Sequence, residues 1–118
     1  MNIRKVLYAE DELSNRKIMQ IKLKKMDIEC DLAENGQAAI DMFKQNSYGL
    51  ILLDLYMPIM DGDEAARHIR KIDPAIPIIA ITSDDDRTNE LKKCGFDHVF
   101  IKPIHDSKYM DIIKGYLQ

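Results

Sequence analysis

Short apolar runs alternate with amphipathic stretches along this chain. The runs at residues 6–9, 29–33, 50–53, 78–81 and 99–101 predict five β-strands. The third and fourth runs are almost wholly apolar, as expected for strands that are covered on both faces. The stretches between the runs have the spacing of helices that bury one face. The pattern therefore predicts a strand followed by a helix, repeated along the chain.

Local signals place the predicted helices. Asn35 and Asp61 open the second and third helices, because Asn and Asp are preferred as N-terminal caps. A fourth helix is predicted over residues 85–94, since Gly95 is well suited to end it. The first and fifth helices are predicted from apolar side chains on one face, which are Met19, Leu23 and Met26 in the first and Tyr109, Ile112, Ile113 and Tyr116 in the fifth.

This alternating order predicts a parallel sheet. Right-handed connections through the helices place helices on both faces, so the predicted fold is a doubly wound α/β/α sandwich of three layers. The 118 residues fit one domain, because a second core would need about 100 more residues. We therefore expect residues 1–118 to form a single domain whose ligands bind beyond the carboxyl ends of the strands.

Polar or charged residues stand just after four of the predicted strands. Glu10 and Asp11 follow the first strand, Asp54 the third, Thr82 the fourth and Lys102 the fifth. Any one of these residues alone could be a helix cap or an ordinary surface charge. The fold brings them to one edge of the sheet, where carboxylates about 4 Å apart repel each other by about 1–4 kcal/mol. A cation is needed to offset this repulsion.

The combination of side chains indicates a metal-assisted phosphoryl transfer. Mg²⁺ suits a partly hydrated site of oxygen ligands. Mn²⁺ is the second candidate, and zinc is disfavoured because His and Cys are missing from these strand ends. We expect Glu10 and Asp11 to hold the metal and Asp54 to be the nucleophile that forms an aspartyl phosphate. Thr82 and Lys102 are expected to contact phosphoryl oxygens.

Composition excludes several other classes of function. The net charge of −3 provides no general basic surface for a nucleic-acid backbone. The N-terminal sequence MNIRKVLYAEDE becomes acidic after a few apolar residues, so it predicts neither a signal peptide nor a membrane span, and we expect a cytoplasmic protein.

Cys30 and Cys94 lack metal-site or redox spacing and are expected to be reduced, structural thiols.

The chain resembles the receiver domains of response regulators over its whole length, and four sequence strings carry this resemblance. They are VLYAEDE, ILLDLYMPIMDG, IIAIT and FIKP, and the second is the most specific. The resemblance implies a flavodoxin-like sheet with the strand order 2-1-3-4-5. It also implies a role for each matched residue, with Glu10 and Asp11 as the acidic pair, Asp54 as phosphoacceptor, the Tyr56 backbone carbonyl as a metal ligand, Thr82 and Lys102 as phosphoryl contacts, and a cis peptide before Pro103.

The resemblance implies a two-component signalling module and not a turnover enzyme, although receivers supply most of the catalysis of their own phosphorylation. The phosphoryl donor would be a phosphohistidine on a sensor histidine kinase or a histidine phosphotransfer domain. Output would go to a downstream protein or an attached output domain, without direct binding of nucleic acid or membrane. The strings LSNRKIM and GFDHVFIKPI look most like receivers of hybrid sensor kinases.

Two surfaces are expected to meet partner proteins. The first is the face of the first helix around Asn15, Arg16 and Met19, which would bind the partner that carries the histidine. The second is the region near Phe100 and Tyr109, which would serve output.

The chain departs from the family pattern in its fifth strand and in the segment before it. Val99 stands three residues before Lys102, where the family usually has Tyr or Phe, and Phe100 should face the other side of the sheet. The segment from Thr82 to Lys102 is also shorter than usual. The side chains of Tyr56 and Asp84 are expected to affect how water reaches and attacks the aspartyl phosphate.

Two other functions fit a sheet of this type. An aspartate-nucleophile phosphatase is expected to carry a DxD motif, with a second Asp two residues after the nucleophile. In this chain Tyr56 stands two residues after Asp54. A flavodoxin-like cofactor binder needs a Ser, Thr or Gly phosphate loop after the first strand, where this chain has the acidic residues 10–12. Both alternatives are therefore less consistent with the sequence than a phosphoacceptor.

Overall fold

Five parallel strands form the centre of the molecule. In this computed structural model, which describes residues 4–83, 90–91, 95–104 and 106–118, the strands are β1 (Lys5–Ala9), β2 (Glu29–Ala33), β3 (Leu50–Asp54), β4 (Ile78–Thr82) and β5 (His98–Ile101). Every residue of β3 and β4 is buried, because helices cover both faces of these strands. Each predicted strand is confirmed to within one residue at either end.

The strands pair in the order β2-β1-β3-β4-β5, and every pairing is parallel. The chain first moves outward from β1 to β2 and then returns to the other side of β1 at β3. The direction of winding therefore reverses between β1 and β3, which is the position where ligands bind in sheets of this kind. This confirms the predicted doubly wound sheet and its strand order.

Four helices in the described residues surround the sheet. They are α1 (Leu13–Lys25), α2 (Gly36–Gln45), α3 (Gly62–Ile72) and α4 (Ser107–Tyr116). The predicted starts of α2 and α3 are confirmed, since the side chain of Asn35 accepts from the Ala38 N–H and that of Asp61 accepts from the Glu64 N–H.

Most of the predicted fourth helix falls outside the described residues. Within residues 85–94 only Glu90 and Leu91 are described, and both are helical. Asp84 and Cys94 also lie outside the described residues. Cys30 is described as a free, buried thiol whose pKa is raised to about 12 by burial and then by the charge of Asp31. Its burial is consistent with the structural role predicted for Cys30.

Alternate residues of the strands form two apolar cores, one on each face of the sheet. Leu7, Ile51 and Leu53 pack on the face covered by α2 and α3. On the other face, which α1 and α4 cover, the core includes Tyr8. A side-chain period of two along each strand produces this division. It also confirms that Val99 and Phe100 point to opposite faces of the sheet.

Candidate functional site

The carboxyl edge of the sheet collects the residues that the sequence places after the strands. Asp54 and Thr82 end β3 and β4, Glu10 and Asp11 follow β1, and Lys102 follows β5. One carboxylate oxygen from each of Glu10, Asp11 and Asp54 lies within 4.8 Å of the other two. The structure thus brings the three predicted acids together at the edge where the sheet changes winding direction.

Asp54 is buried and is bound on both of its carboxylate oxygens. Its side chain lies at the end of β3 and is almost inaccessible to solvent. The Nζ atom of Lys102 lies 2.6 Å from Oδ2, and the backbone N–H of Tyr56 donates to Oδ1 at 3.1 Å. A buried carboxylate is stable as an ion only with such partners. The arrangement compensates the charge of the Asp54 carboxylate and holds its side chain in one orientation.

Glu10 is more deeply anchored than its place after β1 suggests, since only 1% of it is exposed. Its Oε1 atom accepts from Asn15 at 3.2 Å, from the Tyr8 hydroxyl at 3.4 Å and from Lys102 at 3.4 Å. Its Oε2 atom accepts from the backbone N–H of Glu12 at 3.2 Å. Burial and the neighbouring Glu10 raise the pKa of Tyr8 far above its ordinary value, so the hydroxyl remains a donor.

Asp11 is the exposed member of the cluster. A side-chain hydrogen bond to Glu10, partial burial and the charge of Glu10 together raise the pKa of Asp11 above its ordinary value. These effects outweigh the favourable charge of Lys102. Ionised Asp11 is therefore destabilised by the cluster.

Lys102 connects the carboxylates to the neighbouring strand end. Burial alone would lower the pKa of Lys102, but hydrogen bonding to Asp54 and the charges of Asp54 and Glu10 outweigh it and raise that pKa. The backbone N–H of Lys102 donates to the carbonyl of the buried Thr82 at 2.8 Å. The peptide bond before Pro103 is cis, which confirms the prediction made from the family resemblance.

Two glycines allow the loop between β3 and α3 to lie against the site. A Cβ atom on Gly62 would be 2.4 Å from the carbonyl oxygen of Asp54, and one on Gly36 would be 2.5 Å from that of Met60. The backbone N–H groups of these glycines donate to Leu55 at 3.0 Å and to Met60 at 2.9 Å, respectively. Any larger residue at either position would push this loop away from Asp54.

Two of the residues that hold Glu10 are not predicted from the sequence. The sequence pattern indicates no role for Tyr8 and places Asn15 only at a partner surface. Tyr8 and Glu10 stand two positions apart, so a strand directs both side chains to the same face. A hydroxyl inside an otherwise apolar run, two residues before an acid, is the signal that could have revealed the contact.

The expected partner surfaces need correction. Arg16 and Met19 are buried, because Met19 packs in the core and a guanidinium N–H of Arg16 donates to the backbone carbonyl of Glu10 at 2.8 Å. These two residues cannot form an exposed docking face. The exposed apolar side chains of α1 are Leu13 at 56%, Ile18 at 38% and Ile21 at 57%.

The second expected surface is also partly buried. Phe100 is completely inaccessible and stacks on Tyr109 with the ring centroids 4.3 Å apart. The Tyr109 hydroxyl accepts from the backbone N–H of Ile101 at 3.1 Å and donates to its carbonyl at 3.2 Å. Tyr109 is half-buried, so Phe100 cannot contact a partner directly and only Tyr109 retains exposed area.

The donor set fits a hard divalent cation. Three carboxylates converge, and Lys102 provides one positive charge against them. Carboxylate oxygens at a partly open edge are ligands that Mg²⁺ accepts while keeping bound water. Asp11 is exposed and its pKa is raised, so its carboxylate carries the negative charge that the site compensates least.

The fold and this site define a phosphoacceptor signalling class. The family model described as "Response regulator receiver domain" matches residues 6–114. The chain therefore belongs to the response regulator receiver domain family. In the described residues, no helix has both the length and the apolar character needed to cross a membrane.

Two curated relatives are longer proteins of different kinds. The transcriptional regulatory protein ResD of Bacillus subtilis is 34% identical over 119 residues, which cover 99% of this chain and 49% of ResD. The hybrid signal transduction histidine kinase M of Dictyostelium discoideum is 33% identical over 118 residues, which cover 92% of this chain and 5% of the kinase. The chain thus spans half or less of each of these relatives.

Solved receiver structures have the same fold. The response regulator TrrA of Thermotoga maritima, in complex with Mg²⁺-BeF, superposes with a TM-score of 0.88 at 29% identity, covering 96% of this chain and 98% of TrrA. The receiver domain of Saccharomyces cerevisiae Ssk1, solved with the histidine phosphotransfer protein Ypd1, superposes with a TM-score of 0.89 at 27% identity and covers 96% of this chain and 88% of the other.

The position of Asp11 leads to a prediction about stability. Asp11→Asn should raise the free energy of unfolding by about 1 kcal/mol near pH 7 without divalent cations, the usual scale for an exposed charge. A raised pKa means that the folded protein binds the Asp11 proton more tightly than the unfolded chain does. The destabilisation is therefore full above the folded pKa and disappears below the ordinary value of 3.8.

Thermal unfolding in EDTA at several pH values would test this prediction. The gain in melting temperature should shrink as the pH falls from about 7 toward about 4. Glu12→Gln removes the same charge from an exposed neighbour outside the three-acid cluster and should give a smaller gain. Equal gains for the two variants, or a gain that does not depend on pH, would contradict the assignment.

Proposed function

We propose that residues 1–118 form one receiver domain that accepts a phosphoryl group on Asp54 from a phosphohistidine of a partner protein. The observation that carries this proposal is the buried Asp54 carboxylate, paired with Lys102 and clustered with Glu10 and Asp11. A structural ion pair would not require two further carboxylates within 4.8 Å, because these destabilise the fold. The cluster is consistent with a site that is completed by a cation and a phosphoryl group.

In the proposed reaction, an Asp54 oxygen attacks the phosphorus atom. A bond forms between this oxygen and phosphorus while the bond from phosphorus to the donor imidazole nitrogen breaks. The electron pair of the broken bond remains on that nitrogen, which then takes a proton from solvent. Lys102 moves from Asp54 Oδ2 to a phosphoryl oxygen, and the Thr82 hydroxyl donates to another. This chain's own residues would thus catalyse its phosphorylation.

The metal ligands in this proposal are Glu10, Asp11, Asp54 and the backbone carbonyl of Tyr56. When bound there, Mg²⁺ would neutralise charge on the transferring oxygens. Tyr56 is suitably placed because its own N–H donates to Asp54, which keeps its main chain beside the carboxylate. The Mg²⁺-BeF complex of TrrA supports Mg²⁺, and nothing comparable supports Mn²⁺.

A phosphohistidine donor is supported by the Ssk1 receiver, which was solved with a histidine phosphotransfer protein. We place the donor against the exposed apolar residues Leu13, Ile18 and Ile21 of α1, in place of the buried Arg16 and Met19. A hybrid kinase and a transcriptional regulator among the relatives are consistent with an attached kinase or output domain. A cytoplasmic location remains a prediction from the sequence.

Incubation with acetyl phosphate tests the proposed acceptor. With Mg²⁺, the wild-type chain should gain the mass of one phosphoryl group, since the Asp54 carboxylate lies beside Lys102 in the three-acid cluster. Asp54→Asn, or wild type in EDTA, should gain none. Asp41→Asn is a matched control, because it makes the same change on α2 outside the three-acid cluster. Undiminished phosphorylation of Asp54→Asn would refute the acceptor assignment.

Tyr56 is expected to prolong the lifetime of the phosphorylated state. Its side chain is 55% exposed beside Asp54 and should obstruct water that approaches the phosphoryl group. Tyr56→Ala should accelerate dephosphorylation about fivefold, the effect of lowering the barrier by about 1 kcal/mol. Ile59→Ala, at an exposed position in the same loop, should leave the decay rate nearly unchanged. Measured decay of the phosphorylated mass that is equal in Tyr56→Ala and wild type would exclude this role.

A further inference from the structure

The Tyr8 hydroxyl is a polar group inside one of the two apolar cores. The ring of Tyr8 is 1% exposed and packs among core residues such as Met19 and Leu52. Its hydroxyl reaches Glu10 Oε1 at 3.4 Å. Leu or Ile would fill apolar space without bringing a hydroxyl to a buried carboxylate. Apolar packing alone therefore does not account for a hydroxyl at this position.

We propose that Tyr8 is a positioning residue for metal binding, which holds the Glu10 carboxylate in the orientation that the Mg²⁺ site requires. This inference rests on the proposed function, in which Glu10 belongs to the metal site. Partners that orient metal ligands commonly affect metal affinity without touching the ion.

A cavity next to Glu10 explains why the carboxylate needs to be held. The cavity has a volume of about 290 Å³ and lies between α1 and the segment after β5. Tyr8, Glu10, Asn15 and Lys102 all line it, so the three side chains that donate to Oε1 within the described residues border this space. A carboxylate beside open space can rotate into it unless its donors are fixed.

Tyr8 is the best fixed of the three side-chain donors to Oε1. Asn15 is only half-buried on α1, and Lys102 is a third exposed and also bound to Asp54. In the proposed reaction Lys102 moves to the phosphoryl group, which leaves Oε1 to Tyr8 and Asn15. Three donors share Oε1 at 3.2 to 3.4 Å, whereas a single hydroxyl bond is usually about 2.7 Å long. The Tyr8 bond can therefore shorten when Lys102 leaves.

Calorimetric titration of the full chain with MgCl₂ tests this role. Tyr8→Phe keeps the ring in the core and removes only the hydroxyl, and it should weaken Mg²⁺ binding about tenfold. Tyr48→Phe is the matched control, because it removes a buried tyrosine's hydroxyl bond to a carboxylate, that of Asp31 at 2.7 Å. It should lower the melting temperature without changing Mg²⁺ affinity. Thermal unfolding without metal would confirm that both variants fold.

The outcomes separate this inference from the proposed function. If wild type fails to bind Mg²⁺, or if Asp11→Asn binds it as tightly as wild type, the proposed metal site is wrong. If wild type binds and Asp11→Asn weakens binding while Tyr8→Phe does not, only the role of Tyr8 is overturned. Equal weakening by Tyr8→Phe and Tyr48→Phe would also overturn it, because the effect would then follow from lost stability.

Discussion

The ion pair between Lys102 and Asp54 is the interaction on which the candidate site depends. Asp54 is 2% exposed and shares its surroundings with two other carboxylates. Leaving such a charge buried without a partner costs several kcal/mol. The pairing of β4 with β5 sets Ile101 opposite Thr82, so the next residue is Lys102, whose Nζ lies 2.6 Å from Asp54. The register of an edge strand therefore determines whether the central carboxylate has a cationic partner.

Main-chain hydrogen bonds join this ion pair to the adjacent strand ends. The N–H of Lys102 donates to the carbonyl of Thr82, and the N–H of Tyr56 donates to Asp54. These bonds link Asp54 to the loop before α3 and Lys102 to the end of β4. The close approach of Gly62 to the Asp54 carbonyl keeps that loop beside the site. The same contacts that stabilise the site also connect it to the surrounding surface.

Strand positions could be predicted because β3 and β4 are apolar throughout, and the helix starts because Asn35 and Asp61 are strong caps. The site residues followed from the rule that parallel strands end at one edge. The buried face of α1 was harder, since its apolar residues lie on both sides of the helix and Met19 is buried whereas Ile21 is exposed. The contact of Glu10 with Lys102, 92 positions away along the chain, depends on packing that local patterns do not encode.

A double-mutant cycle between Lys102 and Asp54 would measure how strongly the two side chains stabilise each other in the fold. Free energies of unfolding would be measured in urea, without divalent cations near pH 7, for Lys102→Met, Asp54→Asn and the double variant. Lys102→Met alone should destabilise the protein by about 2 kcal/mol or more, because it leaves buried carboxylates unpaired. In the Asp54→Asn background the same change should cost much less. An equal loss of unfolding free energy in the two backgrounds would contradict a stabilising ion pair between Lys102 and Asp54.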